Sequence, residues 1–218
     1  MQYIFSPYNY DWSDPESIPN LFLQHLGLVG TTMLISLIIA IPLGLLAVRY
    51  KQLYLPLIAI ADVFYSIPSL ALLAILITIT GLSFATAIIP LILYTQLVLI
   101  RNVVAGINQI DPLLIEVGRA VGMNEFQLFL RVKLPLALPT IVAGVRIATV
   151  TTVGIASLAS LVGEGGLGDL IFKNITSGDF GAVTAGAILL AALAVLADLL
   201  LLGVQVALNR GRNRLSVA

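Results

Sequence analysis

Residues Glu116–Pro139 read EVGRAVGMNEFQLFLRVKLPLALP, a polar, helix-signalled island in a chain that is otherwise close to continuously apolar. Just before it, Asp111 followed by Pro112 forms an N-cap with proline at the first helical position, and Gly122 is placed to end that helix. Asn124, with Gln127 three residues on, supplies a second N-cap. It starts another helix that runs toward Pro135 and carries Phe126, Leu128, Phe129 and Leu130. Two short helices joined by a tight turn through Gly122, Met123 and Asn124 are therefore expected to protrude from their surroundings. Met123, Phe126 and Phe129 beside Arg119, Glu125, Arg131 and Lys133 give that protrusion an apolar centre and a charged rim, as in a docking surface.

The surroundings are lipid. Hydrophobic residues make up 59% of the 218 and charged residues 10%, and the mean hydropathy of +1.06 lies far above that of an ordinary soluble domain. Crossing the hydrocarbon core takes about twenty apolar residues, and five stretches approach or reach that length. They are Leu26–Val48, Leu53–Ile79, Phe84–Ile100, Thr140–Val162 and Ala182–Leu208. The fold class is thus an all-α integral membrane protein with about five transmembrane helices. An extracytoplasmic segment occupies 1–25, the transmembrane domain 26–208 with the island's loop at about 111–139, and a basic tail 209–218.

The formal net charge is zero, but the cations are unevenly placed. Arg49, Lys51, Arg101, Arg119, Arg131, Lys133, Arg210, Arg212 and Arg214 fall at one set of span ends, whereas the N-terminal segment carries Asp11, Asp14 and Glu16 with no Lys or Arg. The positive-inside rule then puts the N-terminus outside and the C-terminus inside. The first 24 residues lack a basic n-region and a cleavage site, so the first span is expected to be retained. No cysteine is present, and the single histidine, His25, leaves no cluster for a metal; it reads as an interfacial residue.

Three ionisable residues fall inside spans: Asp62, Arg146 and Asp198. Each costs at least ~2.5 kcal/mol at the bilayer centre, so each needs a partner or water. Counted at helical rise, their depths agree, which predicts an ion pair between Arg146 and an aspartate, with Asp198 preferred over Asp62; a proton or cation relay is the alternative. The second span is longer than the hydrocarbon is thick and must tilt, kink or break, most readily at Ser66, Ile67, Pro68 and Ser69. That break either lines a water-filled path or is a proline kink alone. Phe64, Tyr65 and Tyr94 lie near the same path and read as packing.

In the fourth span Gly144, Ala148, Thr152, Ala156 and Ser160 recur every fourth residue, a ridge suited to close helix packing; Thr152 is also a candidate to line a pathway. Beyond it, Gly163, Gly165, Gly166 and Gly168 form a flexible entry to a short amphipathic helix with Leu167, Leu170, Ile171 and Ile175 on one face and an Asp169–Lys173 pair. This segment is expected to dip against the outer membrane face and help close a path there. It is no phosphate loop, since the Lys-Ser/Thr ending is missing.

The island also resembles a known motif. Glu116-Val117-Gly118, three residues, Gly122, nine residues, Val132, one residue, then Leu134-Pro135 is similar to the EAA loop of permease subunits in binding-protein-dependent ABC importers. That pattern is E-A-A, three residues, G, nine residues, I, one residue, L-P; Val117 and Gly118 replace the alanines, and Val132 the isoleucine. Gly118 should loosen the first helix a little. Ser66–Leu73 (SIPSLALL), Leu161–Phe172 (LVGEGGLGDLIF) and the last span around Asp198 look like the osmoprotectant branch of that family, so the likeness runs over about 30–210.

The resemblance implies the type I importer permease fold in a bacterial or archaeal cytoplasmic (inner) membrane. It implies a pathway for glycine betaine, choline, carnitine or a similar amine, and coupling through Glu116, Gly122, Met123, Asn124, Phe126, Leu134 and Pro135 to two ATPase subunits. Those subunits, not this chain, would bind ATP and Mg. A second permease copy, identical or related, and an extracytoplasmic substrate-binding protein would complete the complex; no nucleic acid, metal or catalytic residue is expected. Permeases for methionine or another amino acid share this fold. An ion-coupled secondary transporter using Asp62, Arg146 and Asp198 is the alternative from a different class.

Overall fold

The computed structural model describes residues 2–215, with side chains for 3–209, and among these residues there is no strand. A short α1 (Gln2–Phe5) and a 3-10 turn precede α2 (Ile18–Arg49), which starts eight residues before the apolar run that marks it in the sequence. α3 (Tyr54–Ser66) and α4 (Ser69–Thr80) follow, and then α5 (Phe84–Asn108), capped by Ser83, whose side chain accepts from the Thr86 N–H. The island folds as α6 (Pro112–Ala120) and α7 (Glu125–Leu128). A π-helical turn, Phe129–Lys133, leads into α8 (Leu134–Ala156); α9 (Asp169–Ser177) and α10 (Phe180–Leu215) complete the chain. The side chains of Arg210, Arg212 and Arg214 lie outside the described residues.

Four helices are long and apolar enough to cross a membrane, and α3 with α4 makes a fifth span if that bent pair is one crossing. The pair breaks where the sequence places its proline. Ile67 precedes Pro68 and is held extended at φ −72°, ψ 129°, because the proline ring disfavours the α region for the residue before it. The two halves meet at 93°.

α5 is the central post. Two-thirds of its apolar window (67%) is buried, against 6% for α10, and it packs on α2, α3, α4 and α8. Lipid tails give helices no hydrophobic reason to associate, so contact relies on close packing at small residues. Three glycines make these contacts. A Cβ on Gly44 of α2 would lie 2.5 Å from Val103 Cγ1, one on Gly106 of α5 3.0 Å from the Ala137 carbonyl, and one on Gly144 of α8 would collide with Asn102. The expected ridge is a packing face: Gly144, Ala148, Thr152 and Ala156 are all buried.

Two expectations need correction. His25 is not interfacial but 0% exposed, and its Nε2 donates to the Val153 carbonyl at 3.0 Å, joining α2 to α8. The helix entered at Asn124 is not a separate short element: α7, the π turn and α8 run on as one helix, Glu125–Val162. Pro135 lacks an N–H and would leave a ladder position empty, and the helix absorbs this by widening just before it, so that the Leu134 N–H bonds to the Phe129 carbonyl, five residues back.

Gly44→Ala should overpack the α2–α5 contact and destabilise the chain by ~1–3 kcal/mol. In detergent this will be seen as a lower thermal midpoint, with Val103→Ala recovering part of the loss; additive effects of the two substitutions would contradict the contact.

Candidate functional site

The elbow of α6 and α7 is built from its caps inward. Asp111 accepts from the Leu113 N–H at 2.9 Å, and Asn124 and Gln127 form a reciprocal capping box: Asn124 Oδ1 accepts from Gln127 N–H at 2.9 Å and Gln127 Oε1 from Asn124 N–H at 3.1 Å. These bonds satisfy donors that helix starts would otherwise leave open. Between them Gly122 sits at φ +82°, with its N–H on the Arg119 carbonyl at 3.0 Å and the Met123 N–H on the Gly118 carbonyl at 3.1 Å. The turn reverses the chain in the left-handed region, which glycine enters without penalty.

The two arms touch at Gly118. A Cβ there would lie 2.5 Å from Leu128 Cδ1, and Leu128 is fully buried. So Gly118, the departure from alanine in the motif, seats Leu128 rather than only loosening α6. Outside this contact, Arg119 donates to Glu125 Oε1 through Nε at 3.1 Å and Nη2 at 2.8 Å, and Lys133 lies 3.5 Å from Glu125 Oε2. These exposed pairs add little stability and mainly set the charge of the rim. Phe126 is 71% exposed, and Val117 and Val121 are exposed as well, while Met123 and Phe129 are half-buried and Leu134 and Pro135 lie at the start of α8. Glu116 and Asn124 are exposed on the same elbow.

In the membrane, Arg146 meets Asp198 and not Asp62. Nε and Nη2 of Arg146 each donate to one Asp198 oxygen at 2.9 Å, a two-pronged pair joining α8 to α10. Nη1 donates to Gln205 Oε1 at 2.6 Å. Gln205 carries no signal in the sequence beyond its place two turns after Asp198 on the same helix face. The pair borders a cavity of about 550 Å³ between α8 and α10, with Val150 and Thr151 in its wall. Asp62 instead faces Arg101 of α5 at 3.9 Å, with both side chains about half exposed.

At the broken span, Tyr94 of α5 donates its hydroxyl to the Ile67 carbonyl at 2.7 Å, and its ring meets Tyr65 edge-on, centroids 6.1 Å apart. The phenol satisfies a carbonyl that the proline break leaves without a helical partner. Ser66 donates to the Asp62 carbonyl at 2.8 Å, and Pro68 and Ser69 start α4. Thr152 is 1% exposed; its hydroxyl donates to the Ala148 carbonyl at 2.8 Å and faces Met33 of α2.

The glycines at 163–168 make turns and close approaches to α2 and to the end of α8. Gly163, Gly165 and Gly166 have φ of +80°, +68° and +82°, and a Cβ on Gly168 would collide with the Ser157 carbonyl. The Gly166 N–H bonds to Gln24 Oε1 at 3.0 Å, and a Cβ on Gly166 would lie 3.0 Å from His25 Nδ1. The loop is thus a cradle for two α2 side chains. Leu167 and Leu170 are buried as expected, but Ile175 is exposed. Lys173 bridges Asp169 at 2.6 Å and Glu16 at 2.9 Å, and these two contacts, Asp169 first, hold its ammonium above the usual lysine range.

Among known proteins, the family described as "Binding-protein-dependent transport system inner membrane component" matches residues 38–214. The chain is 42% identical to the glycine betaine/carnitine/choline transport system permease protein OpuCD of Bacillus subtilis, over 83% of this chain and 79% of that protein. It is 40% identical to the carnitine transport permease protein OpuCD of Listeria monocytogenes, over 88% and 87%. Among solved structures, the inward-facing MetNI methionine ABC transporter superposes with a TM-score of 0.74 at 27% identity, covering 85% of this chain and 93% of that one. A family match across most of the residues and two relatives at 40% identity or above place this chain among the binding-protein-dependent inner-membrane transport components, the permease subunits of ABC importers.

Proposed function

We propose that this permease forms the translocation pathway of an ATP-driven importer for quaternary-ammonium osmoprotectants such as glycine betaine, choline or carnitine. The two relatives just described carry those substrates in their names, which favours them over an amino-acid cargo. The observation that carries the mechanism is the continuity of the elbow with α8. Phe126 projects from the first turn of a helix that runs unbroken from Glu125 to Val162, 38 residues or ~57 Å at helical rise.

Two ATPase subunits, holding ATP and Mg, would seat the elbow through Glu116, Gly122, Met123, Asn124 and Phe126, with Leu134 and Pro135 carrying the push into α8. A second permease copy would complete the pathway and an extracytoplasmic binding protein would deliver cargo, with the N-terminus outside and the C-terminus inside. Closure of the ATPases would move the elbow, and α8 would carry that movement to the glycine cradle at its far end and, through Arg146–Asp198, to α10. The broken span, with Ser66, Pro68 and Ser69 at its bend, lies between these ends and would line the path. Gly163, Gly165, Gly166 and Gly168 would set the outer gate.

Expressed with its ATPase and binding protein in a bacterium without osmoprotectant uptake of its own, the chain should support accumulation of labelled glycine betaine, choline or carnitine and not of methionine. Methionine uptake would overturn the cargo, and uptake that persists without the ATPase would favour an ion-coupled transporter. In the same system Gly122→Val should add ~1–3 kcal/mol of backbone strain at a left-handed position. Uptake should fall about tenfold or more while membrane insertion and basal ATP hydrolysis persist; unchanged uptake would show that the turn is not part of the coupling.

A further inference from the structure

On the side of the bundle that carries the elbow, three helix ends meet: α2 stops at Arg49, α3 starts at Tyr54 and α5 stops at Asn108. They surround a cavity of about 410 Å³. Four of the side chains that line it are hydrogen-bond donors: Lys51, from the 3-10 turn Lys51–Leu53 between α2 and α3, then Tyr54, Arg101 and Asn108. Arg101 stands about two turns before Asn108 on α5, so the cavity extends ~10 Å from the helix ends into the span. The remaining wall is apolar and includes Val48 of α2 and Val104 of α5.

Among the described residues, none of these four side chains donates a hydrogen bond to the protein, and no carboxylate lines the cavity. Lys51 has no ion-pair partner among them, and Arg101 has only Asp62, 3.9 Å away and beyond hydrogen-bond distance, with both side chains about half exposed. Arg146, by contrast, donates three bonds to Asp198 and Gln205 and is satisfied within the chain. Two cations on one cavity repel each other, and the repulsion grows where the wall is hydrocarbon rather than water. An anion between them reverses its sign.

The donors select the kind of anion. A guanidinium beside an ammonium suits a phosphate, which takes a two-pronged contact from arginine and a point charge from lysine; a phenol and an amide can serve its remaining oxygens. A free phosphate has no use for the apolar wall, whereas the glycerol and first acyl carbons of a lipid do. Basic pockets between helices at the membrane surface hold anionic head groups in this way, and a zwitterionic head group would bring its own cation against Lys51 and Arg101. We infer that this cavity binds the head group of an anionic phospholipid. Lys51 and Arg101 hold the phosphodiester, Tyr54 and Asn108 donate to it, and Val48 and Val104 lie against the glycerol. The bound lipid thereby ties together the ends of α2, α3 and α5. The inference rests on the chain's place in a membrane and not on its cargo.

The test is native mass spectrometry of the purified permease–ATPase complex, delipidated in detergent and titrated with phosphatidylglycerol or with phosphatidylcholine. Phosphatidylglycerol should fill a saturable site on each permease copy, and phosphatidylcholine should bind about tenfold more weakly or less. Lys51→Gln and Arg101→Gln should each weaken phosphatidylglycerol binding about fivefold, while Lys51→Arg retains it. Arg49→Gln makes the same change of charge at the same helix end but outside the cavity wall, and should leave binding within about twofold. If Arg101→Gln does not assemble with the ATPase, Lys51→Gln decides the matter. Equal binding of the two lipids, no effect of Lys51→Gln, or an equal loss with Arg49→Gln overturns the site. Displacement of the lipid by millimolar inorganic phosphate would assign the cavity to a free anion and overturn the lipid as its occupant. Osmoprotectant uptake is not read in this experiment, so failure of the site leaves the proposed cargo standing, and failure of the cargo leaves the site.

Discussion

The rest of the structure depends on one mechanical constraint, the continuity of the helix that begins at Glu125 and ends at Val162. Its first turn is fixed by the Asn124–Gln127 capping box, its middle is pressed on α2 and α5 by Gly144, Ala148, Thr152 and Ala156, and its last turns meet the glycine cradle that holds Gln24 and His25. Arg146 leaves the same helix to grip Asp198 and Gln205 of α10. In the proposed mechanism a displacement at the elbow is passed along this helix toward the other end of the bundle.

The bilayer explains why those anchors are polar as well as apolar. In hydrocarbon an unpaired carbonyl or charge has no water to turn to, so each departure from helix carries its own compensation. The Ile67 carbonyl, turned out of the helix at the break before Pro68, takes the Tyr94 hydroxyl, and Ser36 on α2 accepts from Thr95 on α5 at 2.7 Å. Arg146 and Asp198 satisfy each other through two bonds yet stay partly exposed, 21% and 36%, beside a cavity. Charged groups exposed at that depth mark a face turned to water or to another subunit rather than to lipid tails.

Much of this was legible from local chemistry. Asp111-Pro112, Gly122 and Asn124 state the elbow, because caps and left-handed turns are decided within a few residues. Pro68 states the break, and the matching depths of Arg146 and Asp198 state their meeting, because helical rise is constant. What was not legible depends on partners distant in sequence. His25 reads as interfacial from its neighbours, and its burial follows from Val153, 128 residues away. The glycines at 163–168 give no sign in the sequence of Gln24, His25 and Ser157, which the fold presses against them. Pro135 reads as a helix end, but a π turn lets the helix continue past it. Gly118 reads as a weakening of α6 until Leu128 is found seated on it.

The central claim is that the elbow is seated in an ATPase and hands its movement to α8, and the absence of cysteine from the chain makes it directly testable. A single Phe126→Cys, labelled with a photoactivatable benzophenone and irradiated in the assembled, membrane-embedded complex, should yield an adduct with the ATPase subunit as its main product. Adducts with lipid or with no protein at all, under conditions where the complex is intact, would contradict the account.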